Sequence, residues 1–169
     1  MSCALTTGFT LDCRNSNGGI EAVYFTELAK KGTVTTTSGV ITAFTLTSGN
    51  FFKYELRKKT SQFEQNIQVS NESGTVYYEQ NLTIKLDKLE TTRRNEILLL
   101  AQNSLLAIIK DNNGKYWLMG ETRGATLSSG KGSTGTSYSD LSGFELSFQA
   151  EEPELAKEID PALIVDLTT

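Results

Sequence analysis

The segment TVYYEQNLTIKLDKL, residues 75–89, alternates apolar and polar side chains over most of its length. Val76, Tyr78, Leu82, Ile84 and Leu86 fall in one phase, while Tyr77, Glu79, Asn81, Thr83, Lys85 and Asp87 fall in the other. Side chains alternate across a β-strand, so this pattern predicts one long strand with a buried face and a polar one. The 22 Thr, 14 Gly and only 2 Pro among 169 residues favour strands and turns over helices.

Other segments extend the pattern. Residues 20–28 (IEAVYFTEL) and 40–46 (VITAFTL) read as strands separated by a Thr-, Gly- and Lys-rich connection. Phe52, Tyr54 and Leu56 share a phase, which breaks near Thr60 and Ser61 and resumes with Phe63, Gln65, Ile67 and Val69. This predicts one long bent strand or two. The spacing of Ile97, Leu100, Ala101 and Leu105 predicts a single helix of about three turns over 92–104. In LLAIIKDNNGKYWLMG, two short apolar runs flank residues 111–114, where Gly114 supplies the left-handed conformation that closes a hairpin. Residues 120–143 are rich in Gly, Ser and Thr and are expected to form a long loop or hairpin arm, followed by a strand over 144–148. In the stretch 151–169, Leu155, Ile159, Leu163, Ile164, Val165 and Leu167 need a surface to dock on. The expectation is a mainly β fold, a β-sandwich or part-barrel with one flanking helix, in a single domain over 1–150 with a C-terminal tail over 151–169.

Much chemistry is excluded. The chain has no histidine, which removes Ser-His-Asp and Cys-His arrangements and the commonest general acid–base group. Glu121, Asp140, Glu151 and Glu152 are carboxylates near the long loop, but no spacing selects a pair for glycoside chemistry, so they read as surface charge. The stretch SSGKGSTG, 128–135, looks like a phosphate loop, yet Gly124 lies six positions before Gly130 rather than five, and Gly132 follows Lys131 where a hydroxyl is required. Asp111, Asn112 and Asn113 begin no calcium-loop ligand series and read as a turn. No enzymatic activity, metal or cofactor is expected.

A net charge of −4 and a pI near 5.0 argue against a protein whose task is to grip nucleic acid. Lys53, Arg57, Lys58 and Lys59 form a short basic run, but Glu55 interrupts it. Tyr116 and Trp117 suit a stacking platform, with core packing the favoured reading. Alternation sets Trp117 and Met119 opposite Tyr116 and Leu118, so one of these pairs is expected to be buried. No apolar run approaches the ~18 residues of a membrane span. The start, MSCALTTGFTLDC, lacks the basic and apolar regions of a secretory signal, so synthesis in a cytosol without membrane insertion is expected. There Cys3 and Cys13 read as small buried thiols, with a disulfide open to them only in oxidising surroundings.

Three stretches carry a resemblance: GFTLDCRNSNGGIEAVYF, RRNEILLLAQNSLLAIIKDNNGKYWLMG and LSSGKGSTGTSYSDLSGFELSFQAEE. Together they resemble virion structural proteins of tailed bacteriophages that infect Bacteroidota, including the crAss-like phages. The resemblance spans roughly Cys3 to Glu152 and implies a tail-tube-like fold repeated around a homo-oligomeric ring, in contact with other tail proteins, through which phage DNA passes. It also implies a virion location after synthesis in the host cytoplasm. On this reading Gly130, Lys131, Gly132, Gly135 and Tyr138 belong to an arm reaching the next subunit, and Leu163 is a contact of the tail. Arg93 and Arg94 oppose the dipole of the helix they begin, and are expected to meet acidic groups on a neighbour. The alternative is a glycan-binding β-sandwich on the virion surface that uses Tyr116, Trp117 and the long loop.

Overall fold

The computed structural model describes residues 4–168. The chain is mainly β, with 49% of residues in strands and 13% helical, arranged as two sheets and two helices. The elements in order are β1 (Ile20–Glu27), β2 (Lys31–Thr37), β3 (Val40–Leu46), β4 (Phe52–Glu55), β5 (Gln62–Ser70), β6 (Thr75–Asp87), α1 (Thr91–Gln102), β7 (Leu105–Asp111), β8 (Tyr116–Met119), β9 (Thr126–Ser133), β10 (Gly143–Glu152), β11 (Lys157–Ile159) and α2 (Leu163–Thr168).

The larger sheet has seven strands in the order β2-β3-β11-β8-β7-β1-β4, and the smaller has four in the order β5-β6-β10-β9. Their facing sides make one core. Val23, Phe25, Ala107, Ile109 and Met119 of the larger sheet pack with Leu82, Ile84, Leu86, Leu146 and Phe148 of the smaller. Phe25 anchors this layer, stacked at a tilt on Phe148 at 4.9 Å and edge-on to Tyr54 at 5.3 Å. The alternation in β6 is realised, with Leu82, Ile84 and Leu86 buried, and Gln80 joins them in the same phase.

A second core lies on the outer side of the larger sheet, where Tyr24, Ile41, Phe44, Phe51, Leu106, Ile108, Leu118 and Ile159 are covered by Ile164 and Leu167 of α2. The sheet is therefore covered on both faces. This corrects the expectation that only one of the Tyr116/Leu118 and Trp117/Met119 pairs is buried, since Leu118 and Met119 are both fully buried in opposite cores.

Two segments read as connections are strands. Residues 31–37 pair with β3, and residues 126–133 pair along β10 with register Gly132↔Phe144 and Gly130↔Leu146. Of the long loop or hairpin arm expected over 120–143, the structure forms a hairpin: β9 is joined to β10 by a shorter turn and lies along the sheet edge. The glycines of β9 act differently from the expectation. A Cβ on Gly132 would come within 3.1 Å of the Phe144 ring, and one on Gly130 within 3.1 Å of Leu146. Their lack of side chains lets the neighbouring strand's large residues lean over the edge.

The residues of 151–169 that needed a surface find one in their own chain. β11 pairs with β8 on one side and, in parallel, with β3 on the other, so three residues join the β2–β3 hairpin to the rest of the sheet. Leu155 and Val165 stay exposed. The helix forms where expected, but only Ile97 and Leu100 turn to the core. Ala101, Leu98 and Leu99 face solvent, and Leu105 starts β7.

Candidate assembly interface

The first surface is the tip of the β5–β6 hairpin. β10 accompanies β6 only as far as Glu152↔Tyr78, whereas β5 and β6 continue through Val69↔Val76 to Ser70↔Thr75. Phe63 pairs with Leu82 in the core phase, so Ile67 and Val69, four and six residues on, point to the same inward side. Among the described residues Ile67, Val69 and Val76 are left 57%, 61% and 51% exposed there. Valine and isoleucine on a core-facing phase beyond the end of the core form an apolar overhang.

The base of the overhang is rigidly held. Buried Gln80 accepts from the Gly120 N–H at 3.1 Å and donates to the Glu154 carbonyl at 3.4 Å. Gln65, opposite it, accepts from the Ala156 N–H at 2.8 Å. Buried Glu152 accepts from the N–H groups of Thr122 and Arg123 at 3.0 and 2.8 Å. Lys157 bridges Glu121 at 3.0 Å and Glu154 at 3.3 Å. Partial burial opposes the Lys157 charge, but these two carboxylates outweigh it and its pKa is raised.

The second surface lies at the opposite end of β6. There α1 leans away from β4 and leaves a cleft of about 840 Å³ lined by Phe25, Phe52, Tyr54, Ile97, Leu99 and Leu100 among others. The Tyr54 hydroxyl donates to Glu96 at 2.7 Å, and burial, reinforced by that carboxylate, raises its pKa. The cleft's other charges are paired too: Lys30 with Glu27, Lys53 with Glu55, and Arg93 with Glu90. Thr26 also lines it, but its phase is that of Tyr24, which directs its unpartnered hydroxyl toward the outer core.

The residues singled out from sequence are scattered. Gly130, Lys131 and Gly132 lie on the exposed edge strand β9. Gly135 takes a φ of 70° at the start of the turn that carries fully exposed Tyr138. Asp140 organises that turn by accepting the N–H groups of Ser137 and Thr136 at 2.8 and 2.9 Å, which hold its carboxyl well below the usual range. Leu163 packs against the outer core and is not a free contact. Arg93 is engaged within its own chain by Glu90 and the Asp87 carbonyl, while the exposed Arg94 guanidinium donates to the Asn95 side chain at 3.1 Å. The basic run is broken up in the same way, as Lys53 meets Glu55 and Arg57 meets Asp87.

Of the four carboxylates considered for chemistry, Glu121 is in an ion pair, Asp140 and Glu152 hold backbone N–H groups, and Glu151 faces solvent. Cys13 is exposed, contrary to the buried thiol expected; Cys3 lies outside the described residues. Tyr116 and Trp117 diverge: Tyr116 packs near Tyr24 in the outer core, whereas the Trp117 indole donates to Asp111 at 3.1 Å. Sequence reasoning identified the phase of Ile67, Val69 and Val76 but missed that they overhang, and it missed exposed Phe52 and Leu99 at the cleft.

Comparison of the chain with protein-family models, with curated proteins and with solved structures finds no match.

Proposed function

We propose that this chain is a non-enzymatic structural subunit of a bacteriophage tail, a tail-tube or tail-ring protein whose homo-oligomer forms the conduit for DNA delivery. The virion assignment rests on the resemblance of the three stretches quoted above. The assembly part rests on one observation, the apolar overhang of Ile67, Val69 and Val76 at the hairpin tip. Full burial of such a side chain is worth about 1.5–3 kcal/mol, and with these three a little over half exposed, a neighbouring copy that covers them gains roughly half of that for each.

The overhang and the cleft lie toward opposite ends of β6, where Val76 and Leu86 are separated by about 33 Å at 3.3 Å per residue. Unlike surfaces at opposite ends produce heterologous contacts, which close into rings or continue as stacks. Lys53 and Arg57 are paired with carboxylates, which weakens the basic run and suits a wall that passes DNA without retaining it. The glycan-binding alternative draws no comparable support. Tyr116 and Trp117 belong to opposite faces of β8, and the turn after β9 belongs to the other sheet.

Negative-stain electron microscopy with light-scattering masses over a concentration series tests the assembly. Closed rings or tubes are expected, with at least ~1,200 Å² buried per contact. The double variant Val69→Asp/Val76→Asp is expected to remain a folded monomer. A wild-type chain that stays monomeric at every concentration, or a variant that assembles as the wild type does, overturns the reading.

A further inference from the structure

The overhang leaves two features of the molecule without a partner: the outer edge of β4 and the N-terminal segment. β4 pairs with β1 alone and ends the seven-stranded sheet. Leu56 N–H donates to the Glu21 carbonyl, which fixes the phase of the ladder. In an antiparallel pair hydrogen-bonded positions alternate, so the N–H and C=O groups of Lys53 and Glu55 point away from β1 toward solvent. Phe52 faces Phe25 across the ladder and so lies on the core side, yet it is 59% exposed because the smaller sheet does not reach it. Across the cleft Leu99 of α1 is exposed as well. An open strand edge beside an apolar cleft is the arrangement that accepts an added strand.

The N-terminal segment has the matching pattern. Residues 5–13 read LTTGFTLDC, with Leu5, Phe9, Leu11 and Cys13 in one phase and Thr6, Gly8, Thr10 and Asp12 in the other. This is the alternation of a half-buried strand, but the segment forms none, and Leu5, Phe9 and Leu11 are fully exposed. Its base is anchored. The Asn17 N–H donates to the Asn113 side chain at 2.7 Å, and Asn113 donates back to the Asn17 carbonyl at 3.0 Å. The 12 residues 5–16 beyond that anchor can extend about 40 Å, enough to leave their own subunit.

We propose that residues 5–13 of one copy dock as an added strand on the β4 edge of a neighbouring copy, with Phe9 and Leu11 in the cleft against Phe52 and Leu99. The proposal rests on the self-assembly reading above and names a second contact within it. The cleft's own charges are already paired, so its open valence is apolar side chains and backbone edge, which a strand supplies and a small ion does not. The chain's own segment is long enough to reach its own β4 and does not occupy it, which leaves the edge to another copy.

Residue-level hydrogen exchange on the full chain, together with its mass in solution, tests this. The control is Phe9→Ser/Leu11→Ser, whose altered side chains touch nothing in the monomer. In the assembled wild type the Lys53 and Glu55 amides are expected to exchange at least about tenfold more slowly than in the variant, and the variant's mass is expected to fall. An assembled wild type whose Lys53 and Glu55 amides exchange as fast as the variant's overturns the arm and leaves the assembly reading standing. Protection that persists in the variant assigns the edge to some other occupant and also overturns it. A wild type that is monomeric throughout overturns both, and β4 protection in such a monomer marks docking within one chain.

Discussion

At the C-terminal end Ile159, Ile164 and Leu167 are buried in the chain's own outer core, whereas at the N-terminal end Leu5, Phe9 and Leu11 face solvent. Both ends are short segments dotted with apolar residues, and both have a polar anchor at the base. The C-terminal anchor is Glu152 with its two backbone N–H groups, and the N-terminal anchor is the Asn17–Asn113 pair. What separates them is the edge on offer. β11 enters a slot with strands on both sides, β3 and β8, and satisfies its backbone on each. The N-terminal segment has only an outer edge to join and leaves it open. A segment's pattern shows that it wants a sheet, and the availability of a two-sided slot decides whether its own chain provides one.

The sharpest way to break this comparison is to truncate one apolar residue at each end. Ile159→Ala removes a side chain with no solvent exposure from the strand that joins the β2–β3 hairpin to the sheet. It is expected to lower monomer stability by about 2–5 kcal/mol in denaturant titration. Phe9→Ala, measured under the same monomeric conditions, is expected to change stability by no more than about 0.5 kcal/mol. Similar losses at the two positions would mean that the N-terminal segment is packed in the monomer after all.

A smaller effect is expected at the C-terminal anchor. Glu152→Ala leaves the Thr122 and Arg123 N–H groups without their carboxylate, at about 1–3 kcal/mol for a part-buried site. It should also loosen the turn over 120–123 against the start of the C-terminal segment, read as faster exchange of those two amides. Unchanged exchange there would show that Gln80 and the Lys157 ion pairs hold the turn without Glu152.

Legibility from sequence divides along the same physical line. Segments that bury one face announced themselves: β6, β7 and β1 carry alternating or continuous apolar residues, and the turn at Gly114 carries its own conformational requirement. Of the four edge strands, β4 and β5 showed themselves in the phase of Phe52 and Tyr54 and of Phe63 and Ile67, but β2 and β9 did not. β2 reads KGTVTTT and β9 reads TLSSGKGS, and both lie largely in solvent, so neither needs an apolar face. In β9 the apolar contribution comes from Phe144 and Leu146 on the adjacent strand, a cross-strand relation invisible along the chain. β11 was hidden for another reason, since three residues are too few for any period to emerge. The overhang shows the limit of periodicity itself. Ile67, Val69 and Val76 share the phase of Phe63 and Leu82, and only the lengths of the paired strands reveal that the core ends before they do.

The smallest expected effect concerns the N-terminal anchor and sharpens what that anchor is for. The bonds between Asn17 and Asn113 are exposed, so replacing Asn113 removes side-chain contacts that water can largely replace. Asn113→Ala is expected to cost about 0.5 kcal/mol or less in the monomer, because Gly114 and the Asp111 carboxylate still form the hairpin turn. Its consequence should appear in the assembly instead. If the anchor aims the segment at a neighbour's β4, freeing it widens the directions the segment samples, and more ordering entropy is lost on docking. The variant should then assemble at higher protein concentration than the wild type while melting at nearly the same temperature as a monomer. A shift in monomer melting as large as that of Glu152→Ala, with no change in assembly, would make the Asn17–Asn113 pair a part of the fold and remove it from the interface.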